Sequence, residues 1–396
     1  MSNQVIIAGV GMVPFKKPGS SDPYDVMGGE AARMALADAA VPYTDVQQAY
    51  AGYVLADSCA GQAALYRIGI TGIPIFNVNN NCASGSSAFY LAAQAVSSGV
   101  VDCALAVGFE QMEPGAIGVV FPTKTNPIDR HVRAAAELLA LTEEEMALPP
   151  AVMLFGCQCE LLQKETGMAE STLAQITIKA RRHAAANPNA IFREPLTVEQ
   201  ILWGAPIYRG LRKLFACPPS CGAASVVVCN EDFARKHGIR NDIRLIGQGV
   251  CSDRAEFFKG DPQDVMFRAL SRTAANQAYE SAGVGPSDID VIELHDCFTS
   301  NEIITYGALG LCASEDLEKF VLDGDNTYGG KVVVNPSGGL LAKGHPLGAT
   351  GLAQITELTW QLRGEAGARQ VDGARTALQH NGGLGSAGFV NIFQRS

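Results

Sequence analysis

The sequence predicts an α/β protein with two similar halves and a mainly helical insertion in the first half. An internal repeat indicates the halves, because residues 31–46 and 274–289 share small and apolar positions at helical spacing. A change in composition marks the insertion at residues 118–221. Of the 396 residues, 47% are hydrophobic and only 18% are charged, which allows two or three domains with a large core.

The first half comprises residues 1–117 and 222–245. It opens with the strand-like segment VIIAGV, and the first copy of the repeat leads into an apolar stretch at 46–54 that is typical of a strand. A second strand-like segment, IPIFNV, precedes a helix that we expect over 84–99. After the insertion, the segment VVVCN at 226–230 resumes this half as a further strand.

The second half comprises residues 246–396. Its copy of the repeat leads into a strand-like stretch at 289–294, and a helix is expected over 350–364. The two copies align at a constant offset of 243 residues. Chance similarity between alanine-rich helices is the alternative explanation, and a second, looser match in the same order, between the helices that begin at Ser84 and Thr350, weighs against it.

The insertion is rich in helix-forming and charged residues and is interrupted by prolines such as Pro149 and Pro150. A segment of this size between two strands commonly covers a substrate. Its basic cluster comprises Lys179, Arg181, Arg182 and His183. Because the formal net charge is −10 and the pI is near 5.2, an anionic substrate must be met by such a local patch. A solvated helix face is the alternative explanation for the cluster.

The same acidic balance opposes binding to nucleic acid or anionic lipid. Residues 68–101 are uncharged over 34 positions, but Pro74 and four asparagines indicate a buried core segment, so no membrane insertion is expected. We expect no signal peptide, because residues 1–10 lead directly into a strand-like segment, and the last residues, Gln-Arg-Ser, are not the usual peroxisomal tripeptide. We therefore expect a cytoplasmic protein, with the peroxisome as the alternative in a eukaryote.

No tightly bound cofactor and no metal are expected. The segment GVGMVP at 9–14 has proline where the dinucleotide fingerprint needs glycine or alanine, and no Walker sequence occurs. The eleven cysteines are expected to be free thiols. Their spacings, such as Cys157-x-Cys159 and Cys217-x3-Cys221, lack the paired pattern of a zinc site.

Cys82 is the candidate nucleophile. It lies in the loop NNNCASG at 79–85, between a strand-like segment and a predicted helix. A cysteine on the first turn of a helix meets unpaired N–H groups and the positive end of the helix dipole, and both favour the reactive thiolate. A buried core cysteine is the alternative.

His345 is the candidate base. It stands between Gly344 and Pro346, in a loop that opens the helix corresponding to the one behind Cys82. Pseudo-twofold packing of the halves would bring the two helix starts face to face. A histidine held there suits activation of a thiol better than core packing.

Two strand ends in the second half supply further polar groups. The segment ELHDCF contains His295, Asp296 and Cys297, and the segment QHNGGLG contains His380 and three glycines. Glycines let backbone N–H groups approach a ligand, as an oxyanion site requires. The alternatives are a salt-bridge role for Asp296 and a core position for His380.

Together these segments resemble the thiolases of the sterol-carrier-protein class. The resemblance lies in NNNCASGS, ELHDCF followed by TSNE, NPSGGLLAKGHPLGATGLAQ and ALQHNGGLG, in that order along essentially the whole chain. It implies the thiolase fold: two βαβαβαββ halves in a five-layered α/β/α/β/α core, an inserted loop domain, and a homodimer or tetramer. One departure is Cys221, where aspartate is expected.

The resemblance also implies catalytic roles. Cys82 takes the acyl group as a thioester, and His345 activates it. Cys297 is the general acid/base, and His295 helps to hold the thioester oxygen in one oxyanion hole. His380 occupies the place of the C-terminal catalytic cysteine of other thiolase branches and is kept among the catalytic candidates.

A second oxyanion hole is implied from the N–H groups of Cys82 and of a glycine in the terminal loop, Gly383. Coenzyme A is then a substrate rather than a bound cofactor. The candidates for binding it are Lys179, Arg181 and Arg182.

The expected reaction is the CoA-dependent cleavage of a 3-oxoacyl-CoA to acetyl-CoA or propionyl-CoA and a shortened acyl-CoA, in fatty-acid or sterol side-chain degradation. Thiolate attack at the ketone releases an enolate, which an acid protonates. The alternatives are a decarboxylating ketoacyl synthase, and a non-thiolytic aldolase or lipid-binding relative. A Cys297 acid argues against the first, and the intact Cys82 and His345 argue against the second.

Overall fold

The computed structural model describes residues 3–115, 121 and 123–396. Ten strands form one continuous mixed sheet, and two short strands form a hairpin in the insertion. In chain order the strands are β1 Val5–Met12, β2 Gln48–Gly52, β3 Ile75–Val78, β4 Cys103–Gln111, β5 Pro206–Tyr208, β6 Leu211–Arg212, β7 Cys221–Asn230, β8 Ile243–Cys251, β9 Val291–Glu293, β10 Val333–Val334, β11 Thr376–Gly383 and β12 Ala387–Arg395.

The sheet consists of two five-stranded parts with one strand order. The first part runs β3-β2-β4-β7-β1 and the second runs β10-β9-β11-β12-β8. Each half therefore places its own strands in the order third, second, fourth, fifth, first. The parts join where β1 and β8 pair antiparallel, with Val5 opposite Leu245. The prediction of two similar halves is confirmed.

Helices lie on both outer faces of this sheet and between its two parts. In chain order they are α1 Tyr24–Ala39, α2 Ala60–Leu65, α3 Ser84–Ser97, α4 Asp129–Leu139, α5 Glu143–Met146, α6 Pro150–Thr166, α7 Glu170–Ala184, α8 Val198–Leu202, α9 Glu231–His237, α10 Pro262–Val265, α11 Arg268–Ala282, α12 Thr299–Ala308, α13 Leu317–Leu322, α14 Gly339–Ala342 and α15 Thr350–Arg363. Within the described part of the chain, no helix combines the length and the apolar composition needed to cross a membrane.

The layers follow from the buried apolar side chains. α1 packs on the outer face of the first sheet part, and α11 packs on the outer face of the second. α3 and α15 share one apolar core with strands of both parts and lie between them. This is the five-layered α/β/α/β/α arrangement that the resemblance implies.

The repeat has a packing explanation at its alanines. A Cβ atom at Gly11 of β1 would overlap the backbone of α1 at Ala31, and one at Gly249 of β8 would overlap α11 at Ala274. Ala31 and Ala274 are the aligned residues of the two copies. Both alanines are fully buried, so the two copies pack their helices against a strand glycine in the same way.

Helices α4–α8 and the β5–β6 hairpin form the insertion, which leaves the sheet after β4 and returns at β7. It is mainly helical, as predicted. Its predicted start at residue 118 lies outside the described residues. Its predicted end at 221 is slightly late, because β7 already begins at Cys221. The second half begins with β8 at Ile243, so the predicted boundary at 246 falls inside a strand and is wrong.

Candidate active site

Cys82 lies in the loop between β3 and α3. The sequence predicts that it is on the first turn of the helix, but α3 begins at Ser84 and Cys82 precedes it. Asn81 adopts φ 52°, a left-handed conformation that asparagine tolerates, and this turns the chain at the cysteine. Ser84 Oγ closes the loop, since it accepts the N–H of Asn80 and donates to the carbonyl oxygen of Asn81.

α3 and α15 meet at their first turns. A Cβ atom at Gly351 of α15 would overlap Ser86 of α3, and one at Gly85 of α3 would overlap the loop that precedes α15. Glycine at these two positions permits the close approach, which brings the loop of His345 beside that of Cys82. The predicted face-to-face arrangement of the helix starts is confirmed.

Cys82, His295 and His345 form the centre of the site. The Cys82 sulfur and one ring nitrogen of each histidine lie within 4.8 Å of one another. The two imidazole rings are nearly perpendicular, at 87°, with their centroids 5.1 Å apart. The histidines are only 3% and 4% exposed, whereas Cys82 is partly exposed. The fold thus brings together three residues that the sequence predicts for the site.

The tautomer of His345 is determined by Thr350. His345 Nδ1 lies 2.7 Å from Thr350 Oγ1, and that hydroxyl donates to the carbonyl oxygen of Pro346 at 2.9 Å. Because its hydrogen is used on Pro346, Thr350 must accept from Nδ1–H. Nε2 is buried, has no partner among the described residues, and is the nitrogen left for Cys82. Burial lowers the pKa of His345 to about 3, so the ring is neutral and Nε2 carries a free lone pair.

The Cys82 thiol is protonated in the resting protein. Burial raises the pKa of Cys82 to about 12, and the negative charge of Glu110 adds to this effect. Hydrogen bonds from the backbone N–H groups of Leu384 and of Cys82 itself lower this pKa, but by less than burial raises it. N–H groups that favour the thiolate are present, as expected, but burial outweighs them. Reaction requires a base that removes the proton, and His345 Nε2 is placed for that role.

The tautomer of His295 is determined by Asn381. Gln354 Nε2 donates to the carbonyl oxygen of His380, so Gln354 Oε1 faces Asn381 and accepts from its Nδ2 at 3.3 Å. The same Nδ2 lies 3.5 Å from His295 Nδ1 and offers it a hydrogen. His295 therefore carries its proton on Nε2, a donor for a substrate oxygen. Burial lowers the pKa of His295 well below its usual range and keeps the ring neutral.

Cys297 follows β9 and is 6% exposed. Burial, together with the neighbouring thiols of Cys217 and Cys82, raises the pKa of Cys297 well above its usual range. A thiol that keeps its proton suits a general acid. The Cys217 N–H donates to the carbonyl oxygen of Cys297 at 2.9 Å, beside the bridge between Ala216 and Phe298. The sequence analysis considered Cys217 only for its spacing and missed its place beside Cys297.

His380 has no ring nitrogen left for a substrate. Nδ1 accepts the backbone N–H of His295 at 3.4 Å, so the proton is on Nε2, which lies 2.9 Å from Ser271 Oγ. Burial lowers the pKa of His380 to about 4, which keeps it neutral. The structure therefore gives His380 a positioning role behind His295, and its place among the catalytic candidates is corrected.

Gly383 lies against the nucleophile loop, where a Cβ atom would overlap the carbonyl oxygen of Asn80. The next residue, Leu384, accepts from Asn81 Nδ2 at 3.0 Å, and its N–H is the one that approaches the Cys82 sulfur. The terminal-loop N–H beside the Cys82 sulfur is therefore that of Leu384, and an oxyanion role for Gly383 stays a prediction. Gly383 itself permits the contact between the two loops.

Glu110, at the end of β4, is a residue of the site that the sequence analysis missed. Its carboxylate accepts the N–H groups of Val54, Leu55 and Gly348, which ties the end of β2 to the loop of His345. Glu110 is 1% exposed, and burial raises its pKa to about 7. A glutamate inside the otherwise apolar strand CALAVGFEQ is the signal that could have found it.

Asp296 and the basic cluster have other partners. Asp296 accepts the N–H groups of Leu340 and Leu341 and holds α14 beside the site, and it has no salt bridge to any residue that the structure describes.

The basic cluster does not form one patch. Lys179 is buried in an ion pair with Glu302, so both explanations offered for it, a CoA ligand and a solvated face, are wrong. Arg181 is 8% exposed and stacks on Phe192, its guanidinium carbon 4.3 Å from the ring centroid. Arg182 is exposed. Of the three residues predicted to bind CoA, it is therefore the one that a ligand can reach.

Two models of known protein families match this chain, one near each end. The model for the thiolase N-terminal domain matches residues 5–201, and the thiolase C-terminal domain-like model matches residues 259–395. The chain is 46% identical over 397 residues to Sterol carrier protein 2 of Oryctolagus cuniculus, covering 99% of this chain and 72% of that protein. It is 35% identical to the benzoylsuccinyl-CoA thiolase subunit BbsB of Thauera aromatica, covering 97% and 96%.

Solved structures share the fold at lower identity. The Ltp2-ChsH2(DUF35) aldolase has a TM-score of 0.81 at 22% identity, covering all of this chain and 98% of that one. Human mitochondrial 3-ketoacyl-CoA thiolase in complex with CoA has a TM-score of 0.74 at 19% identity, with the same coverage.

Proposed function

The chain belongs to the thiolase family, and from that premise we propose that it cleaves 3-oxoacyl-CoA thioesters with coenzyme A through an acyl-enzyme on Cys82. The products are acetyl-CoA or propionyl-CoA and a shortened acyl-CoA. The observation that carries the proposal is the meeting of the Cys82 thiol with two neutral histidines of defined tautomer. The solved thiolase that holds CoA supports the choice of substrate class.

The first step forms the acyl-enzyme. His345 Nε2 takes the proton from Cys82 Sγ, and the thiolate attacks the C3 ketone of the substrate. The C2–C3 bond then breaks and its electron pair passes to C2. The acyl group stays on Cys82 as a thioester, and the enolate of acetyl-CoA is the leaving group.

The enolate needs a hydrogen-bond donor and a proton. His295 Nε2–H donates to the oxygen on which the charge develops, and one such donor is typically worth about 10²–10³-fold in rate. Cys297 gives its proton to C2 and becomes a thiolate. Acetyl-CoA is then complete and leaves.

The last step restores the protein. Coenzyme A gives its thiol proton to Cys297, and the resulting thiolate attacks the thioester carbon. Cys82 is expelled and recovers its proton from His345, so every group ends as it began. Cysteine suits this cycle because it is both a strong nucleophile and a good leaving group.

We further propose that the insertion covers bound CoA. Among the predicted basic residues, Arg182 is exposed and can therefore contact the phosphates of CoA. We also propose that the reaction serves fatty-acid or sterol side-chain degradation in the cytoplasm, and relatives that bear the name Sterol carrier protein 2 support a sterol substrate.

The test uses acetoacetyl-CoA and CoA, followed by loss of 3-oxoacyl-CoA absorbance and by mass detection of acetyl-CoA. The wild type should consume both substrates and Cys82→Ala should consume neither. Cys59→Ser is the matched control, because Cys59 is exposed and lies outside the site. Cleavage of the C–C bond without CoA would instead indicate an aldolase, and CO2 release from malonyl-CoA would indicate a ketoacyl synthase.

A further inference from the structure

Among the residues that the structure describes, Cys82, His295 and His345 are the group whose sulfur and nitrogen atoms are close enough to share one cation. We propose that this cluster also binds a thiophilic divalent ion, Zn²⁺, in competition with acyl-CoA. Such an ion is an inhibitor and not a cofactor, because it occupies both the sulfur that attacks and the nitrogen that accepts the proton.

The donor set and its dimensions suit zinc. Tetrahedral zinc binds cysteine sulfur at about 2.3 Å and histidine nitrogen at about 2.0–2.1 Å, so its ligand atoms stand about 3.3–3.6 Å apart. The three donors here lie within 4.8 Å of one another. The cluster must therefore contract by at most about 1.5 Å. Rotation of the Cys82 side chain, together with small shifts of the two imidazole rings, provides this movement.

His345 is already arranged as a zinc ligand. Histidines that bind zinc usually donate their other ring N–H to an oxygen, which fixes the ring and its tautomer. His345 donates Nδ1–H to Thr350 Oγ1 and leaves Nε2 buried without a partner among the described residues. The lone pair of this buried nitrogen is therefore free to bind an ion.

His295 can adopt the same arrangement through Asn381. Its proton must move from Nε2 to Nδ1, which then needs an acceptor. Asn381 Oδ1 is buried and unpaired within the described structure. Rotation of the Asn381 amide turns Oδ1 toward His295 Nδ1 and gives up the 3.3 Å hydrogen bond to Gln354.

Binding of the ion releases one proton. The Sγ–H bond of Cys82 breaks, its electron pair binds the ion, and the proton passes to the buffer. Three protein ligands leave the fourth tetrahedral position for water. Binding does not depend on the proposed reaction, so a protein that binds zinc here but does not cleave 3-oxoacyl-CoA would contradict only the proposed function.

The test titrates the chelator-treated full chain with zinc chloride against a chromogenic indicator. The wild type should hold one ion per chain, and the ion should protect Cys82 from iodoacetamide, as read by peptide mass mapping. Loss of a direct ligand in Cys82→Ala or His345→Ala should weaken binding by at least about 100-fold, and Thr350→Val should weaken it by about 10–100-fold. Cys59→Ser, which removes an exposed thiol, should bind as the wild type does.

Melting curves show that the variants are folded and give a second readout. Zinc should raise the melting temperature of the wild type and leave that of Cys82→Ala unchanged, because only a native-state site stabilises the fold. A tight ion retained by folded Cys82→Ala, a tight ion lost in Cys59→Ser, or no tight ion in the wild type would overturn the proposal.

Discussion

Thr350→Val removes the oxygen that determines the His345 tautomer and keeps a β-branched side chain of similar size. In the native protein, Nδ1–H donates to Thr350 Oγ1 at 2.7 Å, which leaves the lone pair on Nε2. Valine offers no acceptor, so the buried Nδ1–H would be unpaired. An unpaired buried polar group costs about 1–3 kcal/mol. The ring then shifts toward the tautomer with its proton on Nε2, which cannot accept the proton of Cys82.

The expected loss of rate follows from that free energy. A factor of ten corresponds to about 1.36 kcal/mol, so Thr350→Val should slow acylation of Cys82 by about 5–150-fold. kcat should fall while KM changes little, because the tautomer matters for proton transfer and not for holding CoA. Thr350→Ser keeps the hydroxyl and should stay close to the wild type.

The assay is single-turnover acetylation of Cys82 by acetyl-CoA, followed by intact mass, with melting curves for each variant. Loss of the Thr350 bond to Pro346 should also lower stability by about 1 kcal/mol, which is too little to unfold the protein. Equal acetylation rates in Thr350→Val and the wild type, or an equal loss in Thr350→Ser, would refute the assignment of the base.

Three other properties of the protein are open to direct measurement. Because burial raises the pKa of Cys82 to about 12, its alkylation by iodoacetamide, followed by peptide mass mapping, should quicken about tenfold per pH unit from about pH 7 to 10, in step with loss of activity. A plateau near about pH 8 would show that the thiolate forms more easily. Cys297→Ala should lose thiolysis of acetoacetyl-CoA by about 10²–10⁴-fold and still gain an acetyl mass on Cys82, whereas near-wild-type thiolysis would remove Cys297 from its role. β3 is an edge strand on which Phe76 is 47% exposed, and we expect a homodimer of the 41.7 kDa chain by light scattering. A fully active monomer at all concentrations would contradict this.

Features that depend on neighbouring residues could be predicted from the sequence. α15 begins at Thr350 and stops before Gly364, as expected, because Gly364 adopts φ 77°, which ends a helix. The repeat was visible because its aligned residues Ala31 and Ala274 are fully buried and each lies against a strand glycine. The order of the motifs then placed Cys82 and His345 at corresponding helix starts.

The order of the residues alone was thus enough to predict which chemical groups the loops carry and which helices and strands hold them. Tertiary structure decided how those groups are protonated and which of them are free. Burial raises the pKa of Cys82 by more than the N–H groups at the helix start lower it. Lys179 pairs with Glu302, which lies 123 residues further along the chain, and is therefore not free to bind a ligand. His380 is occupied by Ser271 and by the backbone of His295. The reason is physical: a pKa or a tautomer depends on the exclusion of water and on partners within a few ångströms, and folding brings those partners from distant parts of the chain.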